Sequence, residues 1–178
     1  PSNLGYVAAS ASSVATVATT FMQQLIASTP AIACHVIQLM AKRSCGHFRW
    51  RSILALPSAV ERVMVDMASA FNLRIVGNAG YNDLEGGAGN DTLEAGAGGS
   101  YLMGRAGNDS IVGSNTDSDT VAYQDAPAGV SVNLATGRAS GEGNDTLVAV
   151  DDVVGSFLDD SITGNDGSNR LYGLDGND

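Results

Sequence analysis

The sequence predicts a mainly β repeat protein: a stack of very short strands over residues 77–178, preceded by a small helical segment over residues 1–76. Three observations predict it. Of the 22 glycines only Gly5 and Gly46 precede Gly77. Charge divides at the same place. Residues 1–76 carry Lys42, Arg43, Arg49, Arg51, Arg62 and Arg74 against Glu61 and Asp66, and the remainder carries Arg105, Arg138 and Arg170 against 17 acids, so the net −10 is +4 followed by −14. From Gly77 onward the chain also reads in nines. An acidic surface of this density repels phosphate and anionic lipid, which excludes nucleic acid as a partner and favours a cation. Cys34 and Cys45 both lie in the first part, so no disulfide framework staples the second.

The units are Gly77–Glu85 (GNAGYNDLE), Gly86–Glu94 (GGAGNDTLE), Ala95–Met103 (AGAGGSYLM) and Gly104–Val112 (GRAGNDSIV), then a ten-residue variant from Gly113, GSNTDSDTVA. The period returns at Ser140–Val148 (SGEGNDTLV), Gly155–Thr163 (GSFLDDSIT), Gly164–Tyr172 (GNDGSNRLY) and Gly173–Asp178 (GLDGND). This GGxGxDxUx pattern, with U a large apolar residue, resembles the RTX family of secreted bacterial calcium-binding proteins.

The chemistry of one unit is legible without the family. Glycines at positions 1, 2 and 4 let six residues form a tight turn whose carbonyls point inward, and the Asp at position 6 adds a hard carboxylate oxygen suited to calcium. The last three residues make a short strand whose central side chain (Leu84, Leu93, Leu102, Ile111, Ile162 or Leu171) faces inward. One apolar residue in nine is a thin core for acidic turns to stack on, so calcium is expected to be part of the fold.

The resemblance implies a right-handed parallel β-roll, a calcium-binding solenoid in which two nonapeptides complete one turn and each ion lies between units n and n+2. It implies ligands at Asp91 and Asp109, with carbonyls from Gly86, Gly87, Gly89, Gly104 and Gly107. The further carboxylates are Asp119, one residue out of register, Asp145, Asp160 and Asp178, with Gly173 and Gly176. On the opposite face position 6 is Asn82, then Ser100, so those sites are expected to bind poorly. Asn169 falls between Asp160 and Asp178, and Ser156, Phe157 and Leu158 replace the glycine pattern after Gly155. Asp125, Asp151, Asp152 and Asp166 read as solvated surface.

Residues 77–121 thus form a first repeat block, 122–154 a β connector and 155–178 a second block, truncated inside a unit as in a fragment. Within the connector Val130, Val132 and Leu134 alternate with polar residues as a half-buried strand does, and Thr136-Gly137 reads as a turn.

Residues 1–76 read as a helical cap or linker. Ser58 and Glu61 form a capping box, and Val60, Val63, Met64, Met67 and Phe71 share a helical face, which predicts a helix over about 59–70. Thr29-Pro30 starts a second helix that Lys42, Arg43 and Gly46 end, and Val14, Val17, Phe21 and Leu25 give a third pattern. The uncharged stretch before Lys42 raises membrane contact by residues 1–41, but Gln23, Gln24, Ser28, Thr29 and Pro30 interrupt every window long enough to span. Cys34, His35, Cys45 and His47 fit no zinc spacing. No secretory leader is legible.

The motifs HExxH, GxSxG and GxxxxGK[ST] are absent, so the chain reads as a binding module and not an enzyme. The resemblance implies export by the type I secretion machinery and folding in extracellular calcium. Its alternatives are a spacer or adhesion segment of a large surface protein, or the C-terminal part of a protease, lipase or epimerase whose catalytic domain lies elsewhere.

Overall fold

A three-residue strand is too short to stand alone and needs a neighbour on each side. The nine-residue period supplies one, because successive triplets go alternately to two sheets. The computed structural model describes residues 70–178 throughout and, before them, only strands at 37–39, 53–55 and 62–65. All of these belong to the compact unit Cys34–Asp178, and the other unit, Pro1–Ala33, lies outside the described residues.

In chain order the strands are β1 (Ile37–Leu39), β2 (Ile53–Ala55), β3 (Arg62–Val65), β4 (Arg74–Val76), β5 (Asn82–Gly87), β6 (Thr92–Glu94), β7 (Ser100–Arg105) and β8 (Ser110–Val112). There follow β9 (Thr120–Ala122), β10 (Ser131–Asn133), β11 (Arg138–Ser140), β12 (Asn144–Val148), β13 (Asp152–Val154), β14 (Ser161–Thr163) and β15 (Leu171–Tyr172). No helix occurs among the described residues.

One sheet runs β1-β3-β5-β7-β9-β13-β15, parallel throughout, and the other β2-β4-β6-β8-β12-β11-β10-β14. Register follows the U positions: Leu84 stands opposite Leu102, and Ile75, Leu93, Ile111 and Leu147 follow one another in the second sheet. These side chains, with Val121 and Val153, are buried and form the core. The ten-residue unit from Gly113 does not disturb them. Leu102 still meets Val121, because the turn before β9 absorbs the extra residue, with the Ser114 hydroxyl donating to the Asp117 carbonyl at 3.2 Å.

Most of the connector is built into the second sheet, and its last strand, β13, into the first. β10 and β11 form an antiparallel hairpin through the turn at Gly137, whose φ of 65° suits glycine. The hairpin inserts between β12 and β14, so the second sheet carries two strands that the first lacks.

The helix expected over about 59–70 is corrected: residues 62–65 are strand β3, with Arg62 opposite Asp83 and Val63 opposite Leu84. The open edge of β5 offers main-chain partners at a site where Val63 and Val65 already favour an extended backbone. The expected helix from Thr29 is likewise broken by β1 at 37–39, which pairs with β3. The pattern at Val14 to Leu25, the four Cys and His positions, and residues 1–41 apart from β1 lie outside the described residues. Among the described residues no helix is long and apolar enough to cross a membrane.

Ion pairs tie the rungs along one edge of the first sheet. Arg62 Nη2 lies 3.6 Å from Glu85 Oε1, and Arg105 Nη2 lies 3.1 Å from Glu85 Oε2. Arg105 Nη1 also pairs with Asp125. Arg105 holds position 2 of its unit at a φ of 69°, a left-handed conformation unusual for a side chain-bearing residue.

With so few core side chains, each carries much of the stability. Leu93→Ala, at a residue of 0% exposure, is expected to lower unfolding free energy by about 2–5 kcal/mol in a urea melt. Val148→Ala, at 50% exposure on the outer face, is expected to change it by no more than about 0.5 kcal/mol.

Candidate metal centre

Along the second sheet the position-6 residues of the repeat units are presented to the rung below. Asp91 Oδ1 accepts the Leu73 amide at 2.7 Å. Asp109 Oδ1 accepts the Asp91 amide at 2.7 Å, and Asp145 Oδ1 the Asp109 amide at 2.9 Å. The three carboxylates therefore form a column, each pinned by a main-chain N–H from one rung earlier, and all three are buried.

The second oxygen of two of them has no partner. Asp91 Oδ2 and Asp109 Oδ2 are buried without a hydrogen bond, a costly state for a carboxylate. A Cβ placed on Gly86 would fall against both Asp91 Oδ2 and the Gly104 carbonyl oxygen. Two acceptors thus converge with no donor between them, the arrangement a hard cation satisfies. Gly104 likewise sits against Asp109 Oδ2. Gly107, at a φ of 145°, packs so closely over the Gly89 carbonyl that no side chain fits. Among the described residues no three acidic, His or Cys side chains gather at one point. Any ion here is held by one or two carboxylates plus main-chain carbonyls.

Burial pushes Asp91 up to about 6 against the lowering pull of the Leu73 amide. It pushes Asp109 up to about 7 against the Asp91 amide, with Asp145, Asp91 and Glu142 adding repulsion. Burial also raises Asp145 above the usual carboxylate range.

The remaining candidates differ from this pair. Asp145 Oδ2 accepts the Tyr123 hydroxyl at 3.0 Å. Asp160 is already hydrogen-bonded, its Oδ1 to the Val130 amide at 2.7 Å and the Ser156 hydroxyl at 2.7 Å, its Oδ2 to the Ser156 amide at 2.6 Å. Asp178 Oδ1 accepts the Asp160 amide at 2.9 Å. Gly173 lies against Asp178 Oδ2, and Gly176, at a φ of 139°, packs on the Leu158 carbonyl. Gly87 ends β5 at a φ of 128°.

The opposite face is filled with neutral groups at its lower end. Asn82 Oδ1 accepts the Asn78 amide at 2.8 Å, and the Ser100 hydroxyl lies 3.3 Å from the carbonyls of both Ala95 and Gly98. Higher up, Asp119 has a buried Oδ1 without a partner, and its amide donates to Asp151 Oδ2 at 3.1 Å.

Sequence reasoning missed several groups. Asp152, read as solvated surface, is buried and accepts from Arg170, its Oδ1 from the amide at 2.8 Å and its Oδ2 from the guanidinium at 3.1 Å. The position-5 asparagines form a second column. Asn90 accepts the Asn108 amide at 2.9 Å, and Asn108 the Asn144 amide at 2.9 Å. The recurrent Asn-Asp dipeptide was the available signal. The Tyr123 hydroxyl had no sequence signature.

The RTX calcium-binding nonapeptide repeat family matches in four copies, over residues 74–102, 99–117 and 149–178. No curated protein matches the chain.

A pH dependence follows from the raised carboxylates. In the unfolded chain they titrate near about 3.9. Their contribution to metal-free stability is therefore fully present below that value and lost as pH rises through about 6 for Asp91 and about 7 for Asp109. Protons and a cation compete for the same oxygens. The gain in melting temperature on adding calcium is expected to shrink steadily from pH 8 to pH 5, and to depend far less on pH in Asp109→Asn.

Proposed function

Residues 74–117 and 149–178 belong to the RTX calcium-binding nonapeptide repeat family, and from that premise we propose that this chain is a calcium-dependent folding module of a secreted bacterial protein. The repeats bind calcium. The finer reading is a right-handed parallel β-roll that stays largely unfolded at low calcium, passes through a type I secretion machinery, and folds in the calcium of the extracellular medium. One observation carries it: Asp91 Oδ2 and Asp109 Oδ2 are buried without partners and lie against Gly86 and Gly104, with the Gly104 carbonyl facing the same space as Asp91 Oδ2.

In this reading Asp91 and Asp109, with carbonyls of the turns Gly86–Gly89 and Gly104–Gly107, hold the strongest ions. A bound cation supplies the positive charge that the column lacks. Asp119 serves a weaker position on the opposite face, where Asn82 and Ser100 offer only neutral oxygens. Asp160 is a weak ligand, because Ser156 occupies both of its oxygens. The repeat family is a structural calcium-binding repeat and not a catalytic one, so any enzymatic activity belongs to other parts of the polypeptide.

Isothermal calorimetry with calcium tests the assignment. Asp109→Asn keeps the acceptor for the Asp91 amide and removes the charge, and is expected to raise half-saturating calcium by about tenfold or more. Ser100→Ala is expected to change it less than about twofold. Equal effects from the two substitutions would contradict the inequality of the faces.

A further inference from the structure

The three carboxylates of the column share one kind of partner and differ in the other. Each Oδ1 accepts an amide from one rung earlier. The Oδ2 atoms of Asp91 and Asp109 are buried and unpartnered, whereas Asp145 Oδ2 accepts the hydroxyl of Tyr123, whose exposure is 1%. The turn below Asp145 also differs. Position 1 of its unit is Ser140, which lies in β11 opposite Asn144, and Ala139 stands opposite Asp145. The glycine cradle seen at Gly86 and Gly104 is replaced by a hairpin.

Tyr123 is placed for this contact by its neighbours. The Tyr101 hydroxyl donates to Gln124 Oε1, Arg105 pairs with Asp125, and the Tyr123 amide donates to the Val154 carbonyl at 2.9 Å. Three consecutive residues are thus tied to the rungs around them without any ion. The surrounding segment is also rich in buried apolar side chains, among them Val121, Ala126, Val130, Val132, Val150 and Val153. Its hairpin pairs residues as close as Asn133 and Arg138, so loop closure costs little there.

We propose that the Tyr123 hydroxyl takes the place of a cation at the third carboxylate, ending the calcium column at Asp109 and holding residues 120–154 folded before calcium arrives. Asp145 is then a positioning residue, which orients the Asp109 amide and locks the connector, and not a calcium ligand. The repeats on either side order themselves against this preformed piece when the metal binds. The inference rests on the calcium reading for its account of the column's end, but the lock itself operates without metal.

Two measurements on the full chain test it. Hydrogen exchange in chelator is expected to find the amides of β11 and β12 protected in the wild type. Protection should fall by about tenfold or more in Tyr123→Phe, and adding Tyr123→Phe to Asp145→Ala should lower it little further, because the interaction is then already gone. Unchanged protection in Tyr123→Phe, or additive losses, would overturn the lock. Calorimetry with calcium is expected to give Asp145→Asn the wild-type number of bound ions, while Asp109→Asn loses one. Loss of an ion in Asp145→Asn would overturn its assignment as a positioning residue. A wild-type chain that binds no calcium would instead overturn the calcium reading, and the chelator experiment would still decide the lock.

Discussion

The constraint on which the structure depends is the stacking of like charges at the spacing of a parallel sheet. Neighbouring strands lie about 4.8 Å apart, and every second nonapeptide sets one aspartate above another at that interval. Asp91, Asp109 and Asp145 are buried, and among the described residues no side-chain cation pairs with any of them. The amide bond that each accepts relieves part of this cost and fixes the position of the carboxylate. It leaves the second oxygen of Asp91 and of Asp109 without a partner, and the proposed role of the cation is to supply one.

The rest of the architecture accommodates the column. One U residue per unit, held in register across rungs, provides a core only one side chain deep in each sheet up to Val153, while Ile162 is half-buried and Leu171 at the last rung is exposed. The asparagine column beside the aspartates satisfies further turn amides with neutral oxygens at no electrostatic cost. Arg105, Glu85 and Asp125 bind rungs by ion pairs in place of metal. The β10–β11 hairpin interrupts the series at the point where Val130 takes the place beneath Asp160 that aspartate holds elsewhere. The chain thus alternates regions whose polar groups call for a cation with a connector whose polar groups are satisfied internally.

Much of this was legible because a strict period converts directly into geometry. Leu84 and Leu102 had to meet if two units complete a circuit, and so did Asp91 and Asp109. The one-residue excess before Asp119 was visible as a slip, but its absorption by the turn at Ser114 was not, since that depends on how a loop repacks. Strand β3 was hidden because Val63, Met64 and Met67 also suit a helical face, and only the edge of β5 decides between the two. Leu73 beneath Asp91 carries no acidic or glycine signal, so the rung it belongs to could not be seen from the repeat motif. Tyr123 escaped because its partner Asp145 is brought close by the hairpin, which does not show in local spacing, and Asp152 because it holds no ligand position of a repeat unit, although Arg170 stands one circuit further on.

The central claim is that a cation is an integral part of the repeat fold. Far-ultraviolet circular dichroism of the full chain, taken in chelator and then in millimolar calcium with magnesium as control, tests it most directly. Calcium should produce a large gain of β signal, and magnesium should not, since it demands tight octahedral geometry and keeps its waters. A spectrum identical in chelator and in calcium would contradict the account.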